Sequence, residues 1–252
     1  MTKPHILLIN PNTSAEITET IRLLAVAEIG EQATLTAVTA PFGARYISSR
    51  ASVAIAAHAV LDAFAGVTAD GARFDAVVVA CFGDPGIDAL KELTGIPVVG
   101  FADSGLIAAA ALPGRFAIAT IGEAWRDMLT ELALRRGFAD RLAGVILIEE
   151  GGRAPEIAGP RITAAAKALG VDRVIIGGTG LIPVLDSIAG NVGVEVVDPH
   201  RFTLHDVVRI IGSGAPAPPP PRPSTSPVTG LSSALEGLLT HPHASRGGQE
   251  FP

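Results

Sequence analysis

Phe74-Asp75-Ala76-Val77-Val78-Val79-Ala80-Cys81-Phe82-Gly83-Asp84-Pro85-Gly86 reads as a strand that ends on a thiol and passes at once into a turn. The apolar run over 76–80 does not alternate and is too short for a helix, so it fits a strand covered on both faces. Asp84 and Pro85 carry the signature of a helix start, N-cap and first helical position, for a helix over 85–93. Further along, Val171-Asp172-Arg173-Val174-Ile175-Ile176-Gly177-Gly178-Thr179-Gly180 repeats the pattern without the thiol. Ile6-Leu7-Leu8-Ile9-Asn10 is answered in the same way by Phe116-Ala117-Ile118-Ala119-Thr120.

Working outward, strand-like runs at 6–9, 34–39, 76–80 and 97–100 alternate with helical patterns at 13–29, 52–65, 85–93 and 103–112. The first helix has Thr13 as its expected N-cap, in the capping box Thr13-Ser14-Ala15-Glu16. A second series follows, with strands at 116–120, 144–148, 173–176 and 194–197 and helices at 123–136, 160–169, 183–188 and 204–211. Such alternation predicts an α/β fold with mainly parallel sheets flanked by helices. The repeat predicts two pseudo-symmetric lobes with a cleft between them. Residues 1–101 plus 192–212 form the expected first lobe and 102–191 the second. Residues 213–252 form a Pro-rich tail expected to be largely disordered, because Pro, Ala and Ser cannot bury a core.

Composition narrows the function. The 252 residues are 48% apolar and carry a net charge of −6, with basic residues scattered and aromatics few, so neither nucleic acid nor an anionic membrane is an expected partner. Cys81 is the sole cysteine, which excludes an intrachain disulfide and a cysteine-based zinc site and fits a reducing cytoplasm. Six histidines form no metal constellation: His200 and His205 are out of phase for one helix face, and His241 and His243 lie in the tail. No phosphate-binding glycine loop follows the first strand. The expected chemistry therefore uses no metal or other cofactor.

Ligands of open α/β sheets bind beyond the carboxyl ends of the strands. Four such ends carry polar or glycine-rich turns: Asn10-Pro11-Asn12-Thr13-Ser14, Cys81-Phe82-Gly83-Asp84, Thr120-Ile121-Gly122 and Gly178-Thr179-Gly180. Each opens a helix, so free backbone N–H groups suit a small anion such as a carboxylate. At Cys81 the same setting favours the thiolate over an inert core thiol. Asn10 and Asn12 are either ligand contacts or turn and cap residues. Asp84 reads as a cap, and Thr179 either binds substrate or satisfies a turn. Tyr46, the sole tyrosine, either overhangs the cleft or packs, and Trp125 reads as core.

Ile9-Asn10-Pro11-Asn12-Thr13-Ser14 and Ala80-Cys81-Phe82-Gly83-Asp84-Pro85-Gly86 together resemble the aspartate/glutamate/hydantoin racemase superfamily, nearest its hydantoin racemase branch. The Tyr46-Ile47 segment, the segment from Gly122 to Trp125 and the late glycine-rich turn support the resemblance, which spans about 6–211. It implies two α/β lobes around a cofactor-free active site, an oligomer, and proton transfer at a carbon next to a carboxylate or carbonyl. Such racemases set one cysteine on each face of the substrate carbon. Cys81 matches the first, and Gly178 stands in the place of the second, where it offers neither proton nor base.

Three readings follow. One is a hydantoin or amino-acid racemase-like isomerase with Cys81 as acid/base. In it Asn10, Asn12, Thr13, Tyr46, Phe82, Gly83, Asp84, Thr120, Gly178, Thr179 and Gly180 surround a small carboxylate or cyclic amide. Another is a one-thiol decarboxylase or cis–trans isomerase, resembling arylmalonate decarboxylase or maleate isomerase. The third is a carboxylate-binding protein without catalysis.

Overall fold

In the computed structural model, which describes residues 3–149, 152–213 and 226–240, the strands form two parallel four-stranded sheets. The first sheet has the order β2-β1-β3-β4, from β1 (His5–Asn10), β2 (Thr34–Thr39), β3 (Ala76–Val79) and β4 (Val98–Gly100). The second has the order β6-β5-β7-β8, from β5 (Phe116–Thr120), β6 (Leu142–Leu147), β7 (Arg173–Ile176) and β8 (Glu195–Val197). The two orders are the same, and the strands that echo one another in sequence, β1 with β5 and β3 with β7, hold equivalent central places. Their continuous apolar runs follow from that position: every residue of β3, β5 and β7 is buried, as expected for strands covered on both faces.

Helices α1 (Ala15–Ile29), α2 (Arg50–Thr68), α3 (Ile87–Thr94), α4 (Phe101–Ala110), α5 (Glu123–Arg135), α6 (Pro155–Ala168), α7 (Leu185–Ala189) and α8 (Pro199–Gly212) complete the alternation. A core running from Ile6, Leu8 and Val78 through Phe101 and Leu106 to Phe116 and Ile175 spans both sheets, with α4 and α8 in the layer between. Pro155, not Pro160, opens α6, and a 3-10 turn, Thr179–Val184, precedes the short α7. By length and composition α2 is the one described helix able to cross a membrane. It buries Ala56, Ala59, Val60, Phe64 and Ala65 and packs against β1 and α3, as a core helix does.

Four local expectations are corrected. The N-cap of α1 is Ser14, whose hydroxyl accepts from Ile17 N, while Thr13 N donates to Ala44 O at 3.1 Å. Asn12 Oδ1 accepts from Ser14 N at 2.9 Å, and that turn sets the helix start one residue later than the capping box suggests. Asp84 does not cap α3, which begins at Ile87 after Gly86. The strand placed with the first lobe, β8, pairs with β7, Arg173 opposite Glu195, because it is the fourth strand of the second repeat. Its helix α8 does return to the first half and packs on α1.

The fourth correction concerns the tail. Residues 233–240 form α9 (Ser233–Thr240), which docks on α2 with Leu235 buried and Ser232 Oγ bonded to Asp62. Ser232 Oγ accepts from Leu235 N at 3.1 Å and caps the start of this helix. The rest of the Pro-rich stretch, with His241 and His243, lies outside the described residues.

Candidate active site

The carboxyl ends of the four central strands open on one cavity of about 700 Å³. From the first half it is lined by Asn12, Tyr46, Ile47, Ser48, Cys81 and Phe82. The second half contributes Thr120 through Trp125, Arg153 and Gly178 through Leu181. Of the residues expected around the substrate, Asn12, Tyr46, Cys81, Phe82, Thr120, Gly178, Thr179 and Gly180 are brought together there. Asn10, Thr13, Gly83 and Asp84 are not among the lining residues. Among the described residues no group of His, Cys, Asp or Glu side chains is arranged to hold a metal ion.

Asn10 lies beneath the site, 1% exposed. Its Nδ2 donates to Asn12 Oδ1 and Ser14 O, each at 3.0 Å, and its Oδ1 accepts from Asn12 N at 3.2 Å. Asn12 Oδ1 therefore has two donors, Asn10 Nδ2 and Ser14 N, which fixes the amide at the cavity wall. Its Nδ2 has no bond within the described residues and is free for a ligand's carbonyl oxygen. Gly83 sits beneath the Trp125 ring, so close that an added Cβ would fall 2.4 Å from it.

Cys81 follows β3 by two residues, and Gly178 follows β7 by two. Ala80 N donates to Ile9 O at 2.8 Å, and Gly177 N donates to Ala119 O at 3.0 Å, so the backbones leave the two sheets in the same way. The halves meet across these turns. The Phe82 ring lies against Gly177, where a Cβ would come within 2.3 Å of it, so only glycine fits. Gly178 has φ +129°, a conformation that side-chain-bearing residues rarely adopt, and the space beside it opens toward Thr120 Oγ1 and Leu181. Tyr46, 56% exposed, holds its hydroxyl next to Gly180. Trp125 Nε1 donates to Ile47 O at 3.1 Å, and Arg50 binds Glu131 with two bonds of 2.6 and 2.7 Å, so α5 is tied to the first half beside the cavity.

The electrostatics depart from the expectation of a ready thiolate. Burial first, and then the charge of Asp84, push the Cys81 thiol well above its ordinary value. The helix after it starts only at Ile87, and the Cys81 carbonyl is taken by Gly83 N and Asp84 N in the intervening turn. Asp84, with φ 49°, turns its carboxylate to the start of α4, accepting from Ala102 N at 3.0 Å and Asp103 N at 2.6 Å. Burial and the neighbouring Asp103 push that carboxyl up to about 8, against the pull of the two backbone N–H groups and Lys91. Cys81 is thus a neutral thiol facing a mostly apolar cavity, suited to giving a proton and able to take one back once a bound ligand has accepted it.

Ile47, Ser48, Trp125 and Arg153 were missed as site residues by sequence reasoning. The first three adjoin or fall within segments that it singled out, and Arg153 follows the carboxyl end of β6, where the strand-end rule points.

Residues 6–206 match the Asp/Glu/Hydantoin racemase family. The chain is 31% identical over 203 residues to a hydantoin racemase of Paenarthrobacter aurescens, covering 77% of this chain and 86% of that one. Its structure is similar to that of an allantoin racemase from Klebsiella pneumoniae, with a TM-score of 0.82 at 27% identity over 92% of this chain and 99% of the other. An allantoin racemase from Pseudomonas fluorescens superposes with a TM-score of 0.78 at 26% identity, covering 88% and 99%.

Proposed function

Because the chain belongs to the Asp/Glu/hydantoin racemase family, we propose that it is a racemase-like isomerase that moves a proton at the carbon next to a carbonyl of a cyclic amide of the hydantoin class. The observation that carries this reading is the sole thiol of the chain, at the wall of the cavity where the strand ends of both halves meet. The hydantoin and allantoin racemases to which it is similar support the cyclic amide as the substrate class. In one direction water on the Gly178 side takes the proton and the Cys81 thiol gives one to the opposite face; in the other the resulting thiolate takes the proton and water returns one. Either way an enolate lies between, and the uncommitted Asn12 amide is placed to donate to its oxygen. Such preorganised donation is worth about 3 kcal/mol where it has been measured. Cys81 gives the proton to one face of the planar carbon. In the equivalent place of the other half, Gly178 supplies no acid or base, and the hydroxyl beside it is that of Thr120.

The single protonated thiol also favours a second reading, one-sided proton delivery. A carbanion formed by loss of carbon dioxide would be protonated from the Cys81 side alone and yield one enantiomer. Chiral chromatography in D2O separates the two. If the first reading holds, 5-substituted hydantoins invert with uptake of deuterium, and Cys81→Ala abolishes both. Inversion that survives Cys81→Ala removes the role given to the thiol. Turnover of malonates without inversion of hydantoins selects the second reading.

A further inference from the structure

Arg153 is the one cation among the residues that line the cavity. Its Nε is buried without a hydrogen-bond partner, and among the described residues it forms no ion pair. This sets it apart from Arg50, Arg136 and Arg201, each matched to carboxylates of the chain. Among the described lining residues the other charged one, Glu123, is largely exposed and engaged with Arg126 at 3.2 Å. The cavity it lines is mostly apolar, with Ile121, Trp125 and Leu181 also in its wall. A buried guanidinium nitrogen left without an acceptor is costly unless a ligand supplies one. The cavity, at about 700 Å³, is also far larger than a bare five-membered ring needs.

We infer that the substrate carries a negative charge on the substituent of its reacting carbon, and that Arg153 is the counter-ion that selects it. The inference rests on the reading of this cavity as a proton-transfer site on a cyclic amide. The planar fork of Arg153 matches a terminal carboxylate with two parallel hydrogen bonds, which a neutral amide of the same shape cannot accept in the same way.

The test compares hydantoin-5-propionic acid with its carbamoyl analogue, the neutral isostere, in wild type, Arg153→Gln and Arg153→Lys. Deuterium uptake at C5 is the readout, and thermal melting checks that the variants fold. The wild type is expected to prefer the acid in kcat/KM by about tenfold or more, as befits a charge-assisted pair. Arg153→Gln brings the ratio near one, the acid falling more than the amide, and Arg153→Lys falls between. A wild-type ratio near one, or a ratio unchanged in Arg153→Gln, overturns the inference while any exchange leaves the proton-transfer reading standing. If neither compound exchanges, that reading fails. Calorimetric titration with the acid then decides on Arg153 alone: binding weakened about tenfold in Arg153→Gln upholds the anion site, and equal or absent binding overturns it.

Discussion

Gly178 stands to the second sheet as Cys81 stands to the first. Each follows a central strand by two residues, after a backbone N–H bonded to the neighbouring central strand. The chain therefore has two equivalent positions for an acid/base and a functional side chain at only one of them.

Installing a thiol at the second position has opposite effects on activity and stability. Around Gly178 an added Cβ meets only Thr120 Oγ1 at 3.7 Å and Leu181 at 3.9 Å, so a sulfur has room, but φ +129° strains any side-chain-bearing residue. Gly178→Cys is expected to raise hydantoin inversion at least about tenfold, within the usual yield of general acid–base catalysis. It is expected to lose about 1–3 kcal/mol of stability. Gly178→Ala should show the same stability loss with no gain. Chiral chromatography and urea denaturation of both variants check this, and an inversion rate in Gly178→Cys no higher than in Gly178→Ala would remove the second-face role of this position.

The Asp84 carboxyl predicts how stability responds to pH. Its folded-state value of about 8 lies above the ordinary carboxylate value of about 4. Between those values the folded chain keeps a proton that the unfolded chain has lost, so stability falls as pH rises from about 4 to about 8 and then levels off. The urea midpoint of the wild type should be higher at pH 5.5 than at pH 8. Asparagine tolerates the positive φ and stays neutral, so Asp84→Asn should flatten that slope, although it gives up one of two acceptors at a cost of about 1 kcal/mol. Above pH 8 the variant should also alkylate faster at Cys81 with iodoacetamide, because one of the two causes holding the thiol protonated is gone.

Asn10 is not among the lining residues of the cavity and is expected to act through Asn12. Asn10→Ala removes the donor to Asn12 Oδ1 and the acceptor for Asn12 N, leaving buried polar groups unpaired. The expected stability loss is about 1–3 kcal/mol. Turnover should fall with it, through kcat more than KM, because the Asn12 amide meets an oxygen whose charge develops during the reaction. Asn10→Asp keeps the acceptor for Asn12 N and loses the donations, so it should fall between. Steady-state kinetics with deuterium exchange separates the two parameters.

The sequence carried the alternation, the repeat and the strand-end turns because each is written locally: apolar runs of strand length, glycines, and capping residues between them. The errors came where the answer depends on contacts distant in sequence. Ser14 and not Thr13 caps α1 because the side chain of Asn12 shapes the turn. Asp84 looks like the cap of the helix that follows it, yet it serves α4, whose start lies beside it only in the folded sheet. The sheet that receives β8 is decided by pairing with β7, which no local pattern records. Arg153 read alone is an ordinary loop cation, and only the fold reveals that among the described residues no carboxylate answers it. The proline-rich composition outweighs the helical pattern over 231–239, which the docked α9 nonetheless realises with Leu235 as buried as the core.

The shared strand order of the two sheets has a stereochemical consequence. Two halves that share one strand order and end their central strands in the same way offer a flat ligand two comparable approaches, and the single sulfur makes them different in reactivity. Handedness would then be encoded by which half carries the thiol, with little demand on the contour of the pocket. Moving the sulfur from 81 to 178 would exchange the labelled face of a prochiral substrate, and the mirror-image product would come from the same cavity.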